Sequence, residues 1–342
     1  MEVVFTICSN NYLAHAATLL QSWFLSHPET KAYVILVDKR DESVDYDIIL
    51  PASLLEISSL NILNFDVLVE QYDITELNTA VKPDVFLYLF KKHPNSKVVY
   101  LDPDILVTSR FVDVFDSLNQ NDFVLTPHIC QPVDDDKAPT DYHTLRTGIF
   151  NLGFLALKDT QQVQVFLLWW RHRVFKYGYC NLPANMFYDQ LWINYIPVFY
   201  EKYFILKHPG YNMANWNLHE RILSKSVTGE WFVNDQYELK FFHFSGYKFK
   251  QPESIGSYHD RYDFETRPDL KSIFDLYQKK LMSFGVSNLM LIPCVYFEQH
   301  KQIKKNKQIA QEAQERVERG NRPMKVKIAV KLASIARKII YR

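Results

Sequence analysis

Apolar positions along the first hundred residues fall into two alternating rhythms. "VVFTICS" and "AYVILVD" are short continuous apolar runs, while between them Leu13, Ala16, Ala17, Leu20, Trp23 and Phe24 recur at the spacing of one helix face. The pattern predicts the opening of a βαβ unit. A further helix is predicted from Pro83, at the first helical position beside Asp84, to His93 just before Pro94, and it feeds the strand "KVVYLD". Continuous apolar strands between helices predict a mostly parallel sheet covered on both faces. Ligands of such sheets bind beyond the carboxyl ends of the strands, where Ser9, Asn10, Asp38, Asp102 and Asp104 fall.

Beyond residue 120 the rhythm is mixed. "DFVLTPH", "GIFNLGFLALK" and "ELKFFHFSG" read as strands, and a helix starting near Asp159 carries Val163, Phe166, Leu167, Trp170 and Val174 on one stripe. Phe166, Trp169 and Trp170 are therefore expected in the core rather than on a ligand platform. "RPDLKSIFDLYQKKLMSFG" is a further amphipathic helix, with Pro268 near its start and Gly285 just after its end. These elements define a body over residues 1–285 and a helical, basic segment over 286–342. Within the latter, Ile328, Leu332, Ile335 and Ile339 form an apolar stripe set among Lys and Arg. That pattern suits an interfacial helix on anionic lipid, with packing against a partner chain as the alternative.

Charge sharpens this division. Lys plus Arg equals Asp plus Glu at 39 each, yet residues 301–342 hold 13 basic and 3 acidic side chains. The formal charge of zero thus hides an acidic body and a basic tail. Nothing in the sequence has the pattern of a nucleic-acid reader, so no nucleic-acid partner is expected. The four cysteines are scattered without metal or redox spacing, which fits a reducing cytosol. Neither a signal peptide nor an apolar run long enough to span a bilayer is found, so any membrane contact is expected to be peripheral, on the cytoplasmic face.

The chemistry concentrates in "YLDPDILV", residues 100–107. Two carboxylates flanking a proline at a strand end can bracket a hard divalent cation, although the same tripeptide also makes a plain polar turn. Its neighbours add weight: "NTAVKPDVFLYLF" before it, then "FNLGFLAL", "DQLWIN", "PGYNMANWNLHER" and "FHFSGYKF" in order after it. This series resembles the GT-A glycosyltransferases of family 8, the glycogenin and bacterial lipooligosaccharide galactosyltransferase type, over residues 3–250. It is most similar to a bacterial subgroup associated with surface polysaccharides. The resemblance implies an α/β GT-A fold, a Rossmann-like mixed sheet flanked by helices.

Carried onto this chain, the resemblance implies Asp102, Asp104 and His243 as ligands of Mn²⁺ or Mg²⁺, with Asp102 also facing the nucleotide. It implies Cys8, Ser9, Asn10 and Tyr12 beside the base and ribose, and Lys82 against donor sugar or phosphate. Asn151 and Gly153 would line the donor sugar, where a small residue allows close approach. Gly246 would admit the diphosphate, with either Lys248 or Lys250 supplying charge. Asp189 and Gln190 match the polar pair beside the anomeric carbon. Asn215, Trp216 and His128 are acceptor-side candidates, because sugars present C–H faces to aromatic rings and hydroxyls to amides. "DDD" at 134–136 reads as a solvated loop that closes over substrate. The expected activity is retaining transfer of a hexose-type sugar from a nucleotide sugar, UDP by resemblance, to a glycan or lipid-linked acceptor. A sugar-phosphate nucleotidyltransferase and a non-catalytic binding subunit are the alternatives.

Overall fold

The computed structural model describes residues 1–257 and 259–321. Seven strands form the central sheet: β1 Glu2–Cys8, β2 Lys31–Leu36, β3 Ser53–Glu56, β4 Lys97–Leu101, β6 Phe123–Pro127, β7 Phe150–Lys158 and β8 Tyr203–Ile205, in the order β8-β6-β7-β4-β1-β2-β3. All neighbours are parallel except β7, which runs antiparallel to both β4 and β6. A separate antiparallel pair, β5 Ile105–Val107 with β9 Phe241–His243, stands at the end of β4.

The continuous apolar runs are explained by burial on both faces. Along β1, Val4 and Cys8 join one core layer while Val3, Phe5 and Ile7 join the other, the two-residue alternation of a strand covered on each side. Helix α1, Leu13–Ser26, packs Leu13, Ala17, Leu20 and Trp23 into the first layer. Helices α2, Lys82–Lys92, and α3, Gln161–Tyr177, pack Phe86 and Trp170 into the second. Helix α4, Lys271–Ser283, closes the first layer with Phe274 and Tyr277, and Gly285 follows at φ +72°.

Val286, Leu289, Cys294 and Tyr296 are buried in the two core layers, so the body continues into the next helix, α5, Val295–Asn321. Its first amide, Val295 N, donates to Asp38 Oδ1 at 2.9 Å, and His300 Nδ1 meets the carbonyls of Val69 and Glu70 at 3.2 and 3.1 Å. Residues 286–297, VSNLMLIPCVYF, carry no charged side chain, and the charge-rich composition begins only at Glu298. The basic stripe Ile328 to Ile339 lies outside the described residues.

Candidate active site

The two aspartates and the distant histidine are brought together by strand register. Asp102 leaves β4 with its N–H donating to Gly153 O at 2.8 Å, and Asp104 immediately precedes β5. β9 runs antiparallel to β5 with His243 opposite Ile105, and Phe244 N donates to Asp104 O at 2.9 Å. His243 Nε2 therefore lies 3.2 Å from Asp104 Oδ1 and 3.7 Å from Asp102 Oδ2. One ligand atom from each of the three falls within 4.8 Å of the others, a spacing that can converge on one cation. Burial disfavours a charged imidazole at His243, but Asp104 and Asp102 outweigh it and the pKa is raised. At Asp104 burial opposes ionisation, His243 outweighs it, and the pKa is lowered.

A chain of amides fixes which histidine nitrogen faces the carboxylates. Asn151 Oδ1 accepts from Gly153 N at 3.1 Å, so the Asn212 atom 3.0 Å from it is the donating Nδ2, which also donates to Thr126 Oγ1 at 3.0 Å. Asn212 Oδ1 is thereby turned to His243 Nδ1 at 3.3 Å and accepts its proton. Nε2 is the nitrogen left facing Asp102 and Asp104: it carries the second proton of the imidazolium those carboxylates favour, and would offer a lone pair to a cation that displaces this proton. Asn212 is fully buried at φ +55°. Its side chain orients His243.

Gly153 belongs to the same arrangement. A Cβ there would lie 2.3 Å from His243 Cε1 and 2.7 Å from its Nδ1. The space expected to admit a sugar is filled by the imidazole.

Lys82, at the start of α2, is buried rather than solvated. Its Nζ lies 2.9 Å from Asp189 Oδ2 and 3.9 Å from Asp102 Oδ1, donates to Leu152 O at 3.2 Å, and sits 4.4 Å above the Tyr100 ring. Tyr100 hydroxyl donates to Asp102 Oδ1. Asp189 makes no helix cap. Burial raises its carboxyl to about 6 against the pull of Lys82, so it is ionised at neutral pH. Gln190 is a brace: its Oε1 accepts from Leu152 N at 2.8 Å and its Nε2 donates to Thr147 O at 2.8 Å.

The nucleotide-side candidates are largely committed to the fold. Cys8 is a core residue whose thiol burial pushes upward. Asn10 Nδ2 donates to Asp38 Oδ2 at 3.0 Å and Lys39 O at 2.8 Å, while its Oδ1 accepts from Tyr46 hydroxyl at 2.6 Å. Ser9 Oγ donates to Asn11 Oδ1. Tyr12 stacks on His15 at 4.1 Å and, unlike these neighbours, is an exposed residue. Gly246 adopts φ +72° and its carbonyl accepts from Ser257 N and Oγ. Lys248 and Lys250 are both exposed and make no ion pair among the described residues.

The acceptor-side trio is buried too. Trp216 sets its ring edge-on to His243 and to His128, each at 5.2 Å, and Asn215 Nδ2 donates to Ser245 O at 2.8 Å. Burial holds the His128 pKa down at about 4; its Nδ1 meets Ile149 O, and its Nε2 meets Asn151 Nδ2. These side chains are buried against the strand that carries His243 and do not form an open platform. The acidic loop is also restrained: Arg261 grips Asp135 with Nε at 2.9 and 3.1 Å and Nη2 at 2.8 Å, and donates to the carbonyls of Lys137 and Pro139.

The chain is 24% identical over 285 residues to the uncharacterized protein YfnF of Bacillus subtilis, covering 81% of this chain and 90% of that protein. Among solved structures, it resembles the galactosyltransferase LgtC in complex with donor and acceptor sugar analogs at 15% identity and TM-score 0.46, covering 86% of this chain and 98% of the other. The glycosyltransferase GlyE of Streptococcus pneumoniae gives 15% identity and TM-score 0.46, with 84% and 64% covered. No family model matches the chain.

Proposed function

We propose that this protein is a GT-A glycosyltransferase that moves a sugar from a nucleotide diphospho-sugar to a hydroxyl acceptor with the help of a divalent cation. The observation that carries the reading is the convergence of Asp102, Asp104 and a tautomer-fixed His243 beside a buried lysine–aspartate pair. Two carboxylates and one imidazole suit Mn²⁺ or Mg²⁺, and the donor set is already oriented. When bound, such a cation would neutralise charge developing on the departing diphosphate. Lys82 holds Asp189 ionised without solvent, and that carboxylate is suited to stabilise the positive character that grows at an anomeric carbon. The buried amides of Asn212, Asn151 and Gln190 keep these groups from relaxing.

In the full reading, transfer is retaining, the donor is a UDP-hexose, and the acceptor is a glycan or lipid-linked saccharide of a surface polysaccharide. The basic stretch 325–342 would hold the enzyme on the inner face of the membrane. A nucleotidyltransferase is less well supported, because Cys8–Tyr12 contains no glycine to cradle a phosphate. The test is turnover of UDP-sugars with and without Mn²⁺ in wild type and Asp104→Asn. Metal-dependent turnover that falls at least a hundredfold in the variant is expected. Undiminished, metal-independent turnover overturns the reading, and tight nucleotide-sugar binding with no turnover assigns a binding subunit instead.

A further inference from the structure

On the outside of α3 the protein carries an apolar surface that the cleft does not use. Val165 is 56% exposed and Leu168 47%, and they continue through Trp169 to Val198 at 74% and Phe199 at 49%. The patch is contiguous: Trp169 meets Tyr195 and Phe199 at 5.9 and 5.5 Å, and Tyr195 stacks on Phe199 at 5.0 Å. At its other end Leu168 lines a cavity of about 260 Å³ with Leu63, itself 72% exposed. Large contiguous apolar patches on a soluble body mark interaction sites.

The charges around the patch decide its partner. Helix α3 holds Arg171, Arg173 and Lys176 and no acidic residue; Arg171 pairs with Asp84 at 3.3 Å and exposed Glu201 is offset by exposed Lys202, so Arg173 and Lys176 are the cations that give the patch its net sign. The guanidinium of Arg173 lies 5.4 Å over the Trp169 ring, a cation at the edge of an aromatic. A second copy docking through this face by two-fold symmetry would set arginines and lysines against their own kind. A glycan platform would be a flat ring with a polar rim, not protruding valines and leucines. Aliphatic side chains, Trp, Tyr and Phe at an edge, and cations of one sign together match the boundary of an anionic bilayer. No helix among the described residues is long and apolar enough to cross a membrane, so the contact is peripheral.

We propose that the face formed by α3 and residues 195–199 seats the folded body on anionic lipid. The turn Gln190–Tyr195 links this face along the chain to Asp189. This inference concerns the body and stands apart from both the cleft chemistry and the basic stretch 325–342.

The experiment is partition of the full chain into vesicles of phosphatidylcholine alone and of phosphatidylcholine with phosphatidylglycerol, without sugar or metal. Three variants accompany wild type: Leu168→Asp with Val198→Asp, Lys331→Glu with Lys338→Glu in the basic stretch, and Val227→Asp as an exposed control on a distant turn. Wild type should bind only the anionic vesicles, and the Leu168/Val198 variant should bind about tenfold more weakly with its circular dichroism unchanged. The control should bind like wild type. Equal binding of the Leu168/Val198 variant and wild type overturns the proposal, including when the Lys331/Lys338 variant alone loses binding. A fall in oligomeric mass in the Leu168/Val198 variant, with no change in vesicle binding, overturns it in favour of a contact between copies.

Discussion

The site depends on single atoms whose positions are fixed by neighbours rather than by the ligands themselves. Asn212→Gly keeps the left-handed backbone while deleting the amide that holds His243 Nδ1. Metal affinity, followed by Mn²⁺ electron paramagnetic resonance, should drop about 10–100-fold, and the melting temperature should fall as well, because Thr126 Oγ1 and Asn151 Oδ1 lose their buried donor. Gly153→Ala should act by another route: its Cβ must displace His243, costing about 1–3 kcal/mol of overpacking by chemical denaturation together with metal binding. At Asp189 the sign of pH dependence follows from burial, which raises the carboxyl to about 6. A carboxyl raised above its unfolded value contributes stability that is present at low pH and is lost as pH rises through the folded pKa. Relative to Asp189→Asn, wild-type stability should therefore fall by about 2–3 kcal/mol between pH 3 and pH 7. In the proposed reaction the ionised form is the one that acts, so turnover should also decline as pH drops through 6, an acid limb the variant lacks.

At the scale of elements, what could be read from the sequence was whatever has a short-range cause. The helix at Pro83 starts and stops where Pro and His93 dictate, and β1, β2, β4 and β7 follow their apolar runs. The Asp102–Asp104 pair was visible because both residues lie on one strand end. Joining His243 to them needed the resemblance, since nothing local reveals that β9 pairs with β5 in the register that places His243 opposite Ile105. The amide chain through Asn151 and Asn212 was hidden for the same reason. Burial of Lys82 and Trp216 was hidden too, because the same residue types serve solvated surfaces and sugar sites. The latch between the acidic loop and Arg261 is the clearest case of a long-range pairing invisible to composition. Arg261→Gln removes the fork that holds Asp135 and the Lys137 and Pro139 carbonyls. Amide exchange over residues 132–140 should accelerate at least tenfold, while the central sheet stays protected.

For the molecule as a whole, Asp38 is the point where the carboxyl end of β1 and helix α5 meet. One carboxylate oxygen accepts from Val295 N and Lys39 N, each at 2.9 Å, and the other accepts from Asn10 N at 3.3 Å and Nδ2 at 3.0 Å. Burial raises its pKa while those donors oppose the rise, so the charged group is held by hydrogen bonds alone. Asp38→Asn turns one acceptor into a donor, and whichever side receives the new NH₂ must face a buried N–H. The cost should be about 1–3 kcal/mol, read as a lower denaturation midpoint. If residues 286–300 belong to the same cooperative unit as the sheet, their amides should lose protection in step with β1. A separate tail beginning at 286 would instead exchange quickly in wild type and remain unaffected by the substitution. The buried side chains of Val286, Leu289 and Cys294 argue for the first outcome, because exposing each would sacrifice about 1–3 kcal/mol of apolar burial. Protection should then fade along α5 beyond Lys307, which pairs with Glu70 and is followed by exposed residues over 308–315.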